Sequence, residues 1–115
     1  MHKHTISFMN AGRGIWTATS TQLNIRIHLI IASLVLFAAV YFNLSIDNVV
    51  HLVMMISLVI VTEMFNTALE FLSDAVTRDM NPYIKMAKDV SAGAVLLSAI
   101  FAALVGLFIF LPVIL

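Results

Sequence analysis

Three long apolar segments divide the chain and predict three membrane-spanning helices. They cover residues 25–44, 48–76 and 86–114, separated by polar breaks at 43–48 and 77–85. About twenty helical residues cross the ~30 Å hydrocarbon core of a bilayer. The first segment qualifies if Arg26 and His28 extend to the headgroups. The helix of the second is expected to continue past Glu63 and leave the bilayer.

Residues 5–21 predict a helix of another kind, one that lies on the membrane surface. Their large apolar side chains recur seven residues apart, as Phe8 with Ile15 and Met9 with Trp16, a weakly amphipathic pattern. The sequence therefore predicts an all-α membrane protein with an N-terminal amphipathic surface helix plus three transmembrane helices. We expect residues 1–115 to form a single domain.

The composition agrees with lipid as the solvent for much of the chain. Of the 115 residues, 62% are hydrophobic and 10% are charged. A chain this small could not bury so much apolar surface in its own core. The formal net charge of zero argues against a nucleic-acid partner, and the lack of cysteine excludes disulfides and thiolate metal sites. The first 20 residues lack an apolar run long enough for a signal peptide, so we do not expect a cleavable one.

The charges predict an orientation. Lys and Arg residues precede the first span and flank the second loop, whereas the first loop and the C-terminal residues have none. The positive-inside rule then places the N-terminus and the second loop in the cytoplasm and the C-terminus outside. Acidic residues gather on the same side, which is typical of an active centre near the inner leaflet.

A polar stripe interrupts the second span. Glu63, Asn66, Glu70 and Asp74 follow one another at i, i+3, i+7 and i+11, so they share one face of a helix. Charged groups in membrane helices usually face a partner or an aqueous cavity and serve function. Oxygen ligands at this spacing suit Mg²⁺, which binds a few carboxylates together with substrate phosphates. The structural alternative is polar contact between spans.

Basic residues elsewhere could complete such a site. Lys88 could bind a phosphate, with Asp89 orienting it, although the two could instead be an interfacial charge pair. Arg13 and Arg26 are positive-inside anchors by default. His28 and His51 are weaker candidates, and no phosphate-binding loop motif occurs in the sequence.

Several motifs resemble those of the bacterial diacylglycerol kinase and undecaprenol kinase family. They are the run of residues 63–70, then Asp74, Pro82 and residues 87–95, with residues 11–16 and 24–28 near the start and 106–112 near the end. The resemblance covers nearly the whole chain. The opening and the tail are most similar to the undecaprenol kinase branch.

The resemblance implies a small lipid kinase of the bacterial cytoplasmic membrane that forms a homotrimer with active sites between subunits. Such an enzyme transfers a phosphoryl group from Mg-ATP to a lipid hydroxyl at the cytoplasmic interface. The resemblance to the undecaprenol kinase branch implies that this lipid is undecaprenol. The family pattern makes Glu63 the catalytic base and Glu70 a metal ligand. Arg13, Arg26 and Asn66 would support the substrate site. The ATP-binding residues would be Gln22, Glu70, Asp74, Lys88 and Asp89.

One position departs from the family. Gln22 stands where the family commonly has a Glu that helps to hold metal. An amide oxygen can still bind a metal, but one negative charge is lost. We therefore expect weaker Mg²⁺ binding at Gln22, or the loss of a second ion.

Three other functions remain open at this point. The acceptor could be diacylglycerol, because both lipids present a primary hydroxyl. A small proton-coupled multidrug transporter has similar length and uses one embedded Glu, but it normally has four spans. A membrane assembly factor would use the stripe only to hold helices together.

Overall fold

A computed structural model describes the backbone of residues 2–115 and the side chains of residues 7–115. The described chain folds into four α-helices, which are α1 (His2–Thr21), α2 (Leu23–Tyr41), α3 (Ile46–Val76) and α4 (Pro82–Ile114). The last three are long and apolar enough to cross a membrane. This confirms the prediction of an all-helical chain with three candidate spans.

A single residue separates α1 from α2. Gln22 is extended, with φ −111° and ψ 112°, and α2 begins immediately after it. α1 continues through Gly12 and Gly14 despite their low helix propensity. The large apolar side chains at which the surface helix was predicted are all exposed, namely Phe8, Met9, Ile15 and Trp16. The predicted surface helix also includes residues 5 and 6, and the predicted orientation also uses Lys3. The side chains of these three residues lie outside the ones that the structure describes.

α2 ends at Tyr41, earlier than the apolar pattern does. Asn43 adopts a left-handed conformation with φ 52°. The amide of Leu44 then donates to the carbonyl of Ala39, and that of Asn43 to Val40, both at 3.0 Å. This is a Schellman cap, which ends a helix by satisfying its last carbonyls. An apolar residue such as Leu44 can therefore lie beyond the helix.

Side-chain caps begin the next two helices. The Ser45 hydroxyl accepts a hydrogen bond from the amide of Asn48 at 3.3 Å. The Asn81 side chain accepts from two amides of the first turn of α4, at 2.9 and 3.2 Å. Pro82 follows at the first helical position, where its missing N–H costs nothing. The Asn-Pro pair therefore starts α4 four residues before the predicted span.

α3 is the central helix, and both α2 and α4 pack against it. One face of α2 contributes small and branched side chains to this contact, namely Ile25, Ala32 and Ala39. Leu52 and Val59 of α3 are buried in turn. At 1.5 Å per residue, α3 is about 46 Å long, so one end extends beyond a ~30 Å hydrocarbon core.

Candidate functional site

Glu63 is a buried carboxylate on the face of α3 that otherwise carries core residues. It follows Leu52 and Val59 at helical spacing and is only 5% exposed. One of its oxygens, Oε2, is buried and has no hydrogen-bond partner among the residues that the structure describes. Burying a polar atom without a partner is unfavourable, so such an atom requires a functional or structural explanation.

The other oxygen of Glu63 meets a histidine of α2. Nε2 of His28 lies 3.4 Å from Oε1, and the His28 side chain is 28% exposed. Thr67, one turn along α3, donates to the backbone carbonyl of Glu63 at 2.9 Å and leaves the carboxylate free. The two carboxylate oxygens therefore have different environments, one beside an imidazole and one unpartnered.

Polar contacts join α3 to α4 along the same seam. Ser91 donates to the side-chain oxygen of Asn66 at 2.8 Å. The hydroxyls of Thr62 and Ser98 lie 3.0 Å apart, and each also lies within hydrogen-bond distance of a carbonyl of its own helix. These contacts fit the structural alternative for Asn66, and they fix the register of α4 against the stripe.

The basic residues at the start of α4 pair with two different acids. Lys88 donates to Asp74 of α3 at 3.1 Å. Asp89 pairs with Lys85 of its own helix at 2.7 Å, in an exposed position. Lys88 therefore contacts the stripe, whereas its sequence neighbour Asp89 pairs within α4.

Glu70 lies between these contacts. It is half-buried on α3, and among the side chains of residues 7–115 it has no hydrogen-bond or ion-pair partner. Glu63 faces α2, whereas Asn66 and Asp74 contact α4. The predicted stripe therefore borders both neighbouring helices of α3.

The remaining predicted site residues are not joined to the stripe within one chain. Gln22 lies at the junction of α1 and α2, where its side-chain amide donates to the hydroxyl of Thr21 at 3.4 Å. Arg13 and Arg26 are exposed and form no ion pair with any side chain that the structure describes. Their predicted roles remain predictions.

Oxygen donors for a divalent cation are present in the carboxylates of the stripe on α3 and in the side-chain carbonyl of Gln22. Within residues 7–115, no three His, Asp or Glu side chains of one chain converge on a common point. However, Oε2 of Glu63 and the carboxylate of Glu70 both lack a partner among the described side chains, and they lie about two turns apart on the stripe. Mg²⁺ typically takes one or two carboxylates together with substrate phosphates and water, so this sparse donor set fits it.

An apolar cavity of about 310 Å³ lies between α2, α3 and α4. Its walls include Ala32, Leu52, Ala103 and Phe110. Of the described residues that line it, His28 alone is polar. The imidazole that contacts Glu63 therefore also borders this apolar space.

Several of these residues have only weak sequence signals. The sequence predicts that His28 extends to the headgroups, yet it lies between Ile25 and Ala32 on the face of α2 that packs on α3. Ser91 and Ser98 follow Lys88 at i+3 and i+10, so all three share one face of α4. That periodicity was the available signal.

The chain is similar to bacterial lipid kinases over most of its length. The model of the family described as prokaryotic diacylglycerol kinase matches residues 9–110. An undecaprenol kinase of Bacillus subtilis is 39% identical over 106 residues, which are 92% of this chain and 86% of that protein. A diacylglycerol kinase of Synechocystis is 41% identical over 108 residues, covering 93% of this chain but 62% of that longer protein.

Proposed function

Since this chain belongs to the prokaryotic diacylglycerol kinase family and is a lipid kinase, we propose that its acceptor is undecaprenol and its product undecaprenyl phosphate. The acceptor is inferred from the Bacillus subtilis relative, which the chain matches over most of both lengths. Family membership also argues against the transporter and the assembly factor. Diacylglycerol remains the second candidate, because the Synechocystis relative bears that name.

The observation that carries the catalytic assignment is the unpartnered Oε2 of buried Glu63. In the proposed reaction the lipid hydroxyl oxygen attacks the γ-phosphorus of ATP and forms the new P–O bond. The bond between the γ-phosphorus and the β–γ bridging oxygen breaks, and ADP leaves. The hydroxyl proton passes to Oε2 of Glu63, which acts as the general base.

Phosphoryl transfer depends on alignment and on positive charge around the phosphate oxygens. We assign Lys88 to the phosphates of ATP, and its contact with Asp74 holds the ammonium group beside the stripe. Asn66 supports the same face through its hydrogen bond with Ser91. Asp89 is assigned to the nucleotide from the family pattern and has only its exposed pair with Lys85 to orient it.

Glu70 and Gln22 are the residues we propose to hold Mg²⁺. The ion, when bound, supplies positive charge against the phosphate oxygens of ATP. Glu70 is half-buried and has no partner among the side chains that the structure describes, which supports this role. Gln22 can contribute a neutral amide oxygen from the α1–α2 junction.

The length of α3 supports an active site at the membrane surface. Glu63 lies about 26 Å along the helix axis from Ile46, close to the ~30 Å thickness of the hydrocarbon core. The carboxylate would then lie near one headgroup layer, where the hydroxyl of a long-chain alcohol already resides. From the distribution of Lys and Arg we propose that this is the cytoplasmic side, with the C-terminus outside.

We further propose a homotrimer with active sites between subunits. Within the described part of one chain, Glu70 has no partner, and the side chain of Asp74 is 47% exposed. Arg13 and Arg26 are exposed as well, and a neighbouring subunit would bring such groups to the carboxylates. The surface of α1 with exposed Trp16 would lie on the membrane.

The acceptor is tested by comparing lipid alcohols in one assay. The purified protein would be given Mg-ATP with undecaprenol or diacylglycerol in the same mixed micelles, and kcat/KM would be measured for each. We expect the larger kcat/KM with undecaprenol. A larger value with diacylglycerol would reverse the acceptor assignment, and ATP hydrolysis without any lipid phosphate would contradict the kinase itself.

A further inference from the structure

His28 of α2 lies within ion-pair distance of the proposed catalytic base. It lies three residues after buried Ile25 and four before buried Ala32, so its ring points toward α3 with the core face of α2. Nε2 lies 3.4 Å from Oε1 of Glu63, a carboxylate oxygen on a side chain that is nearly fully buried. The contact therefore joins two helices at the base itself.

The two carboxylate oxygens of Glu63 have different surroundings. Oε1 lies beside the imidazole, whereas Oε2 is buried with no partner in the described structure. A carboxylate held at one oxygen has a fixed orientation, and its second oxygen keeps its lone pairs for an incoming proton. Thr67 does not compete for this task, because its hydroxyl donates to the backbone carbonyl of Glu63.

We propose that His28 is a positioning residue for the lipid kinase reaction. The imidazole, whose Nε2 lies 3.4 Å from Oε1 of Glu63, would hold the carboxylate through this polar contact so that Oε2 faces the hydroxyl of the lipid alcohol. This inference rests on the proposed role of Glu63. It assigns His28 no proton transfer and no contact with the phosphates.

The location of His28 suits this task. It is the polar member of the wall of the apolar cavity between α2, α3 and α4. The other described residues of that wall are apolar and offer Glu63 no side-chain donor to orient it. A small misplacement of a catalytic group can lower the rate strongly, because the reaction requires a narrow range of geometries.

Two substitutions separate a donor from a merely space-filling side chain. His28→Gln keeps an N–H group at a similar distance from the backbone, and His28→Leu keeps the approximate size without any donor. We expect His28→Leu to lower kcat by about 10- to 100-fold, the range for losing a hydrogen bond to a charged group. The KM values for ATP and lipid should stay within about twofold of wild type, because the contact acts on the base and not on substrate binding. His28→Gln should recover most of the lost kcat.

His51→Leu provides the matched control, because His51 is exposed on α3 and lies outside the proposed site. Its kcat should equal that of the wild-type protein. If His28→Leu does not assemble in detergent, His28→Met provides a second donor-free variant with a flexible side chain.

A double mutant tests whether His28 acts through Glu63. In a Glu63→Gln background, His28→Leu should lower the residual rate little further, because residues that act as a unit are not additive. Equal kcat in His28→Leu and wild type would overturn the proposal, as would His28→Gln being as slow as His28→Leu. Failure of the wild-type protein to phosphorylate any lipid alcohol would instead overturn the proposed function, and the role of His28 with it.

Discussion

The substitution Glu63→Gln separates the chemistry of the proposed base from its packing. Gln has nearly the same size and shape as Glu, so it leaves no cavity at this 5% exposed position. It cannot accept the lipid proton. General base catalysis contributes about 10²- to 10⁴-fold, which corresponds to about 2.7 to 5.4 kcal/mol of the activation free energy. We therefore expect kcat to fall by about that factor.

The folded state should not suffer from the same change. Oε2 of Glu63 has no partner to lose, and a neutral amide is easier to bury than a carboxylate. We expect detergent-solubilised assembly and the free energy of unfolding to be unchanged or slightly raised. The phosphorylation of undecaprenol would be followed as a function of ATP and lipid concentration, so that kcat and KM are resolved.

Asp47→Asn is the control for this experiment, because it makes the same change in the first turn of the same helix, far from the site. Its kcat should match wild type. Robust turnover by Glu63→Gln would remove Glu63 from the role of base. A parallel loss of assembly would show that the carboxylate is structural.

Three further substitutions test other parts of the account. Gln22→Glu should lower the Mg²⁺ concentration for half-maximal rate, since it adds a carboxylate at the proposed metal site; an unchanged requirement in a Mg²⁺ titration would place Gln22 away from the metal. Lys88→Met should lower kcat/KM for ATP by about 10- to 100-fold, the range for losing a charged hydrogen bond to phosphate; an unchanged value in steady-state kinetics would exclude that contact. Ser98→Ala should lower the free energy of unfolding in detergent by about 0.6 kcal/mol, because Thr62 keeps its bond to a backbone carbonyl; a loss of activity without destabilisation would mean that Ser98 belongs to the site.

The helices could be predicted because periodicity and segment length specify them locally. Their ends were less predictable, since they depend on backbone conformations. Leu44 continues the apolar pattern, yet the left-handed Asn43 ends α2 at Tyr41. Pro82 resembled a loop residue, but the Asn81 cap makes it the start of α4.

The polar stripe could also be predicted, because four residues of one helix determine their shared face. Its partners could not, since they depend on how two helices are aligned with each other. Lys88 was expected to work with neighbouring Asp89 and instead pairs with Asp74 across the seam. His28 has no distinguishing sequence signal until α2 is packed against Glu63.

One measurement tests most directly the claim that Glu63 is the base of a lipid kinase. Purified wild-type protein and Glu63→Gln are each given ATP with a radioactive γ-phosphate in mixed bacterial lipids. After extraction, the account predicts label in a lipid monophosphate for the wild-type protein and almost none for the variant. Label that stays in ATP, or that appears only as inorganic phosphate, would contradict it, and so would equal lipid labelling by the two proteins.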